Sequence, residues 1–157
     1  MIKIIAVGKL KEKYLKDGIN EYIKRLNPYT KIEIIEVNDE KTYEDSPSLN
    51  KQIMDIEGQR ILSKINKDDF VIALDLHGES FTSEKLAAKL SEIYTYHTSK
   101  ITFVIAGSCG YGQEVLKRAN LRWKLSDCTF PHQLVRLLLV EQIYRCYKIN
   151  NNEPYHK

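Results

Sequence analysis

Residues 104–116, VIAGSCGYGQEVL, gather several residue types that do chemistry. An apolar run ends in a loop of small residues around Cys109, and a helical pattern follows. A catalytic thiol needs a neighbouring base and an orienting group. Gly107 stands two places before Cys109, but Tyr111 stands two places after it, so the nucleophile-elbow spacing fails. Gly107, Gly110 and Gly112 are spaced G-x-x-G-x-G, which matches neither the dinucleotide fingerprint nor the phosphate loop. A third use of glycine is to let a ligand approach bare backbone. That use asks nothing of Cys109.

Two more constellations stand out. Glu141 and Arg145 are one helical turn apart and can pair on one face. The chain closes on NNNEPYHK (150–157), where Tyr155, His156 and Lys157 follow a proline. A frayed end is the ordinary reading of such a tail; two ring side chains and a base make it a candidate part of a site. Asp75, in LDLHGES (74–80), ends an apolar run as a carboxylate that suits either a turn or a ligand contact. In SDCTFPHQ (126–133), Pro131 opens a helical pattern that Thr129 or His132 is placed to cap.

These residues must be positioned by alternating elements. IKIIAV (2–7), KIEIIEV (31–37), DFVIALD (69–75) and KITFVIA (100–106) read as strands, with LRWKLS (121–126) a weaker fifth. Helical patterns lie near 12–26, 50–65, 83–96, 112–119 and 132–149, and NDEKTYEDSPS (38–48) reads as a loop. The alternation predicts an α/β fold, a mostly parallel sheet with helices on both faces. Ligands in such sheets bind outside the carboxyl ends of the strands. Loops 75–81, 106–112 and 126–132 all fall there. The last helix, HQLVRLLLVEQIYRCYKIN, is apolar on nearly every face, so it is either central to the core or shared with a second subunit.

At 157 residues a single domain over 1–157 is expected. Three cysteines without a Cys-x-x-Cys pair suit a reducing, cytoplasmic setting and argue against a disulfide framework. With four scattered histidines they also argue against a metal. No run is long and apolar enough for a membrane span, and the opening MIKIIAVGKLKEKYLK is expected to be a strand of the fold rather than a secretory leader. The net charge of +3 is small but uneven. Residues 1–25 carry seven Lys or Arg against three acids, residues 33–57 eight acids against two bases, and residues 117–124 four bases and no acid. A polyanion is therefore expected at the two ends of the chain.

AVGKLKEKY, LDLHGESFTSEKLA, FVIAGSCGYG, LSDCTFPHQLVRLLLVEQIYR and the terminal PYHK together resemble one family over residues 2 to 157. It is the small SPOUT-class ribosomal RNA large subunit methyltransferase H family, which methylates a pseudouridine. The resemblance implies a deep trefoil knot in the C-terminal half, a homodimer, and S-adenosylmethionine as cofactor. It also implies N3 of a pseudouridine in large-subunit ribosomal RNA as acceptor, on the ribosome.

Cofactor contacts in the family are largely main-chain, and by position they fall on Leu74, Ala106, Gly107, Leu125, Ser126, Asp127, Cys128, Thr129 and Phe130. Asp75 and Gly110 join them from the reading of their loops. Ala106 stands where the family has the first of two glycines, Cys109 at its polar place, and Tyr111 where it has an apolar residue. Arg145, Tyr155, His156 and Glu141 are the expected catalytic group: a cation near the ring oxygens, a ring to position the base, and a carboxylate to orient the cation. Tyr155, His156 and Lys157 are expected to enter the opposite subunit's site. His132, Arg136 and Lys157 are assigned to the RNA. Two rivals are a non-catalytic RNA-binding or ribosome-assembly module on the same fold, and a hydrolase using Cys109.

Overall fold

The six residues of Ile2–Val7 are all buried, Ile2, Ile4 and Ala6 toward one cluster and Ile5 and Val7 toward another. A strand apolar on both faces must be covered on both. It is β1, and the rest of the fold follows from that demand. The computed structural model describes residues 1–42 and 44–157. After β1 come α1 (Lys13–Leu26), β2 (Ile32–Val37), α2 (Pro47–Leu62), β3 (Phe70–Ser80), α3 (Ser83–Tyr96), β4 (Ile101–Ile105), α4 (Gln113–Arg118), β5 (Leu121–Lys124) and α5 (His132–Asn150). The strands form one parallel sheet in the order β2-β1-β4-β3-β5.

Alternation along each strand divides the core. Ile72, Ile101, Phe103 and Trp123 join Ile2 and Ile4 beneath α1, α3 and α5. Val71 and Val104 join Ile5 and Val7 beneath α2 and α4, with Ile61 and Val115. Lys3 also faces this second side. Its ammonium is buried against Asp69 at 3.2 Å, and Asp69 accepts the Thr102 hydroxyl at 3.0 Å.

Two expected boundaries move. The loop expected over 38–48 gives way to α2 at Pro47, because the Ser46 hydroxyl accepts the Leu49 N–H at 3.3 Å and proline suits a first helical turn. Tyr43, inside that loop, lies outside the described residues. Nor is 75–81 a free loop. β3 runs on to Ser80 beside β5 with a slip in register, Leu74 and Glu79 both aligning with Trp123. Residues 75–78 are the intervening bulge, a device that re-aims side chains next to sites.

α5 crosses beneath the sheet between α1 and α3, and Leu139, Val140, Ile143, Tyr144 and Cys146 are buried there within one chain. No residue from His132 to Ile149 is fully exposed. Packing within the core thus accounts for much of its all-round apolar pattern. No helix among the described residues is long and apolar enough to cross a membrane.

Candidate functional site

β3, β4 and β5 end side by side, and a cleft of about 770 Å³ opens beyond them. After Ile105 the chain turns through Ala106–Gly110, where a Gly107–Gly110 bridge closes the loop and the Gly110 N–H donates to the Gly107 carbonyl at 3.1 Å. Gly107 is required by what lies against it. A Cβ there would come within 2.9 Å of Glu57 Oε1 and 3.1 Å of Val7 Cγ1, so α2 and β1 press directly on its backbone. A bulky side chain at 107 would strike those two residues before filling the cleft. Leu74, Leu125 and Phe130 supply apolar wall, and the small residues Ala106, Ser126 and Thr129 line the cleft with them.

Of the expected cofactor residues, Leu74, Asp75, Ala106, Gly107, Gly110, Leu125, Ser126, Cys128, Thr129 and Phe130 line this cleft. Asp127 does not line it, and its carboxylate turns to Lys124 at 2.5 Å in solvent. Asp75 reaches the cleft, but its carboxylate is already held by Arg122 at 2.6 Å and the His77 N–H at 3.0 Å. It serves the bulge as a turn and ion-pair residue.

Several expectations need correction. Neither Thr129 nor His132 caps α5; Pro131 occupies the N-cap and no side chain bonds there. His132 instead lines the cleft, where burial, then the charge of Arg136, lowers its pKa below the ordinary histidine range. Arg136 cannot meet a phosphate. It is 2% exposed and donates to Glu36 Oε2 at 2.5 Å, the Val7 carbonyl at 3.2 Å and the Gly8 carbonyl at 2.7 Å. The basic run 117–124 is also spent: Lys117 pairs with Glu114, Arg122 with Asp75 and Lys124 with Asp127, while Arg118 donates to the carbonyls of Asn66 and Asp69. Cys109 lines the cleft, and among the described residues no base stands at its sulfur, whose polar neighbour is Asn50 Oδ1 at 3.8 Å. That counts against the hydrolase. Among the described residues no group of three or more His, Cys, Asp or Glu is arranged for a metal.

The expected catalytic group forms a second cluster. Glu141 Oε1 accepts from Arg145 Nε at 3.0 Å, from Arg145 Nη2 at 2.5 Å and from the Tyr155 hydroxyl at 3.0 Å. Arg145 lies over the Tyr155 ring, 4.7 Å from its centre. Its Nη1 is 3.0 Å from His156 Nδ1, and His156 Nε2 is 2.7 Å from Glu84 Oε1. Arginine can only donate. The geometry therefore suits a neutral imidazole that accepts at Nδ1 and donates from Nε2. Burial, then bonds to Tyr22 and Glu141, raises the Tyr155 phenol, so it is no base near neutrality. The tail is thus ordered against its own α5, with the Tyr144 and Tyr155 rings 4.8 Å apart, while Lys157 stays exposed. None of these four residues lines the cleft. Along the α5 axis Arg145 is roughly 20 Å from His132, at 1.5 Å per residue.

Two residues that matter to the cleft escaped the sequence reading of function. Tyr111 puts its hydroxyl 2.7 Å from both the Leu74 and Val104 carbonyls, tying β3 to β4 at the cleft floor. Its place between two loop glycines was the available signal. Glu57 braces Gly107 from behind, and nothing local in its helix marks it.

A parallel sheet with a cleft of small residues at its carboxyl edge is shared by several enzyme classes, so comparison with known proteins decides the family. The family described as predicted SPOUT methyltransferase matches residues 1–156. The chain belongs to the SPOUT methyltransferase family. Its curated relatives include proteins named ribosomal RNA large subunit methyltransferase H. That of Carboxydothermus hydrogenoformans is 52% identical, that of Streptococcus thermophilus 55% and that of Bacillus pumilus 57%, each over 99% of both chains. For this SPOUT methyltransferase, the cleft and the α5–tail cluster are the two places where function has to be sought.

Proposed function

We propose that the chain binds S-adenosylmethionine in the cleft and methylates N3 of a pseudouridine in large-subunit ribosomal RNA, acting on the ribosome as a homodimer with a knotted C-terminal half. The observation that carries the reading is the cleft itself. Its size lies within the range of small-molecule sites, and small residues with short side chains line it between apolar walls. Those features fit an adenosine: Ala106, Gly107 and residues 125–130 for the base edge and ribose, with Leu74, Leu125 and Phe130 against the faces. The relatives' printed names support methyl transfer to large-subunit ribosomal RNA.

When bound, the cofactor supplies an electrophilic methyl group. The chain's residues supply position and charge. Arg145, fixed by Glu141, offers a cation to a uracil-type ring as its imide becomes anionic. Tyr155 offers a ring beside that cation, and His156 an imidazole whose tautomer Arg145 and Glu84 set. None of this cluster lines its own cleft, and Arg145 stands roughly 15 Å along α5 beyond Val135, the nearest cleft-lining residue of that helix. Pairing the α5–tail cluster of one subunit with the cleft of its neighbour resolves this, and it is the reason for the homodimer in the proposal.

The test uses purified protein, labelled S-adenosylmethionine and ribosomes with or without pseudouridine at the acceptor. One label per ribosome, assigned to N3 by nucleoside mass spectrometry and absent without pseudouridine, is the expected result. Calorimetry on the wild type and on Thr129→Trp, which places bulk at the cleft, is expected to show binding only by the former. RNA binding without cofactor binding or transfer to any ribosome would leave the non-catalytic module, which keeps the fold but has lost the cofactor, as the better reading.

A further inference from the structure

Among the bases, the four of residues 117–124 are paired or bonded, Lys3 is buried, and Arg136 is spent on Glu36 and two carbonyls. Lysines without an acidic partner among the described residues are scattered over the surface, Lys16, Lys24, Lys31 and Lys85 among them, and those in the segment between β1 and α1 are set apart by where they stand and how they are held. Lys9 and Lys11 are exposed and have no acidic partner among the described residues, and Tyr14 in the first turn of α1 is 71% exposed. The segment also sits beside the cleft. β1 pairs with β4, Ala6 opposite Ile105, so the chain leaves the sheet at Gly8 on the strand neighbouring the one that leads into the Gly107 loop.

The segment is also held firmly. Gly8 takes φ +90°, a conformation suited to glycine, to turn out of the sheet. Arg136 holds the carbonyls of Val7 and Gly8, and the Glu36 oxygen it pairs with accepts the Leu10 N–H at 2.7 Å. Leu15, one residue beyond Tyr14, is buried at 2% exposure. Buried bonds thus fasten the backbone while two ammonium groups and a phenol ring face solvent. Tyr14 stands among Lys11, Glu12, Lys13 and Lys16, so it is no part of an apolar patch that would seat a protein or enter a bilayer. Ammonium groups beside a flat ring suit phosphates and an unstacked base.

We propose that Lys9, Lys11 and Tyr14 form an RNA-docking surface beside the cleft, the lysines on phosphates and Tyr14 stacked on an unpaired base. Arg136 is the positioning residue that fixes this surface. The inference rests on the reading that the substrate is RNA. The experiment measures binding of a large-subunit ribosomal RNA transcript across a salt series, with cofactor calorimetry and methyl transfer to ribosomes alongside. For Lys9→Gln/Lys11→Gln, the slope of log affinity against log salt is expected to flatten by about 1.4, at roughly 0.7 per single-strand phosphate contact. Tyr14→Ala is expected to weaken binding about tenfold with the slope unchanged. Lys117→Gln/Lys124→Gln serves as control and is expected to match wild type, as is cofactor affinity throughout. An unchanged slope in the first lysine pair, an equal change in the control pair, or wild-type affinity in Tyr14→Ala overturns the surface. If the wild type transfers methyl to ribosomes and the variants equal it, this surface alone is wrong; if the wild type neither binds RNA nor transfers methyl, the functional reading falls with it.

Discussion

Arg136→Met separates a buried anchor from an RNA contact. The guanidinium is 2% exposed and makes three donations, two of them to the otherwise buried carbonyls of Val7 and Gly8. Methionine fills much of the volume but offers no donor. Each abandoned buried acceptor costs about 1–3 kcal/mol. The Glu36 side chain is 38% exposed, so water recovers part of what that carboxylate loses. The sum falls near the low end of the ~3–5 kcal/mol for breaking a buried pair by removing one partner. With a urea slope of about 2 kcal/mol per molar, the unfolding midpoint is expected to drop by roughly 1.5 M.

The pH dependence supplies a second readout for the same variant. Burial alone would raise the Glu36 carboxyl, but the Arg136 bond and the Leu10 N–H outweigh it and hold the pKa below the ordinary value. A depressed carboxyl stabilises the fold above its unfolded pKa and loses that contribution as pH falls through the folded pKa. Arg136→Met is expected to flatten that acid limb. Wild-type stability together with lost RNA binding would refute the anchor and return Arg136 to the RNA.

Glu57→Gln is expected to raise stability at pH 7 by roughly 1 kcal/mol, because it keeps the shape of a buried side chain and removes a carboxylate charge that burial disfavours. Burial raises its folded pKa, so the wild type loses stability as pH climbs from the unfolded pKa through the folded one, and denaturation at several pH values is expected to show the variant without that loss. Cys109→Ser is expected to keep most methyl transfer in a ribosome assay, since among the described residues no base stands at the sulfur; complete loss in a folded variant would revive the thiol. Deleting residues 154–157 is expected to leave cofactor affinity intact and remove methyl transfer. Mixing the deleted chain with Thr129→Trp chains is expected to restore some activity after subunit exchange, and no recovery would place the tail in its own subunit's reaction.

The layer architecture was legible because IKIIAV and KITFVIA are apolar at both parities, which only a strand covered on both faces tolerates. The extension of β3 was not. DLHGES is polar and turn-like, and it stays beside β5 because Glu79 and Ser80 align with Trp123 and Lys124, partners more than forty positions away. The cleft was legible for the same kind of reason as the layers: small residues at three strand ends leave backbone for a ligand, whatever their individual identities.

Charge was the least legible property. Arg136 and Arg145 lie nine positions apart on one helix, yet one is sealed beside Glu36 and the other lies at the surface of the tail cluster. Glu36 stands one hundred positions before Arg136, so no local spacing could have announced the pair. Four bases in residues 117–124 looked like the strongest basic run, yet Lys117 and Lys124 pair with acids three positions away, Arg122 with the distant Asp75, and Arg118 donates to distant carbonyls. Residues 9–14 belong to the basic first segment that the sequence marks, and two of their lysines have no acidic partner among the described residues. A charge count over a window sums side chains, whereas the field a polyanion meets is set by those the fold leaves without an opposite. The docking surface proposed beside β1 meets that condition, on a segment whose rigidity comes from the buried arginine that the charge count would have assigned to RNA.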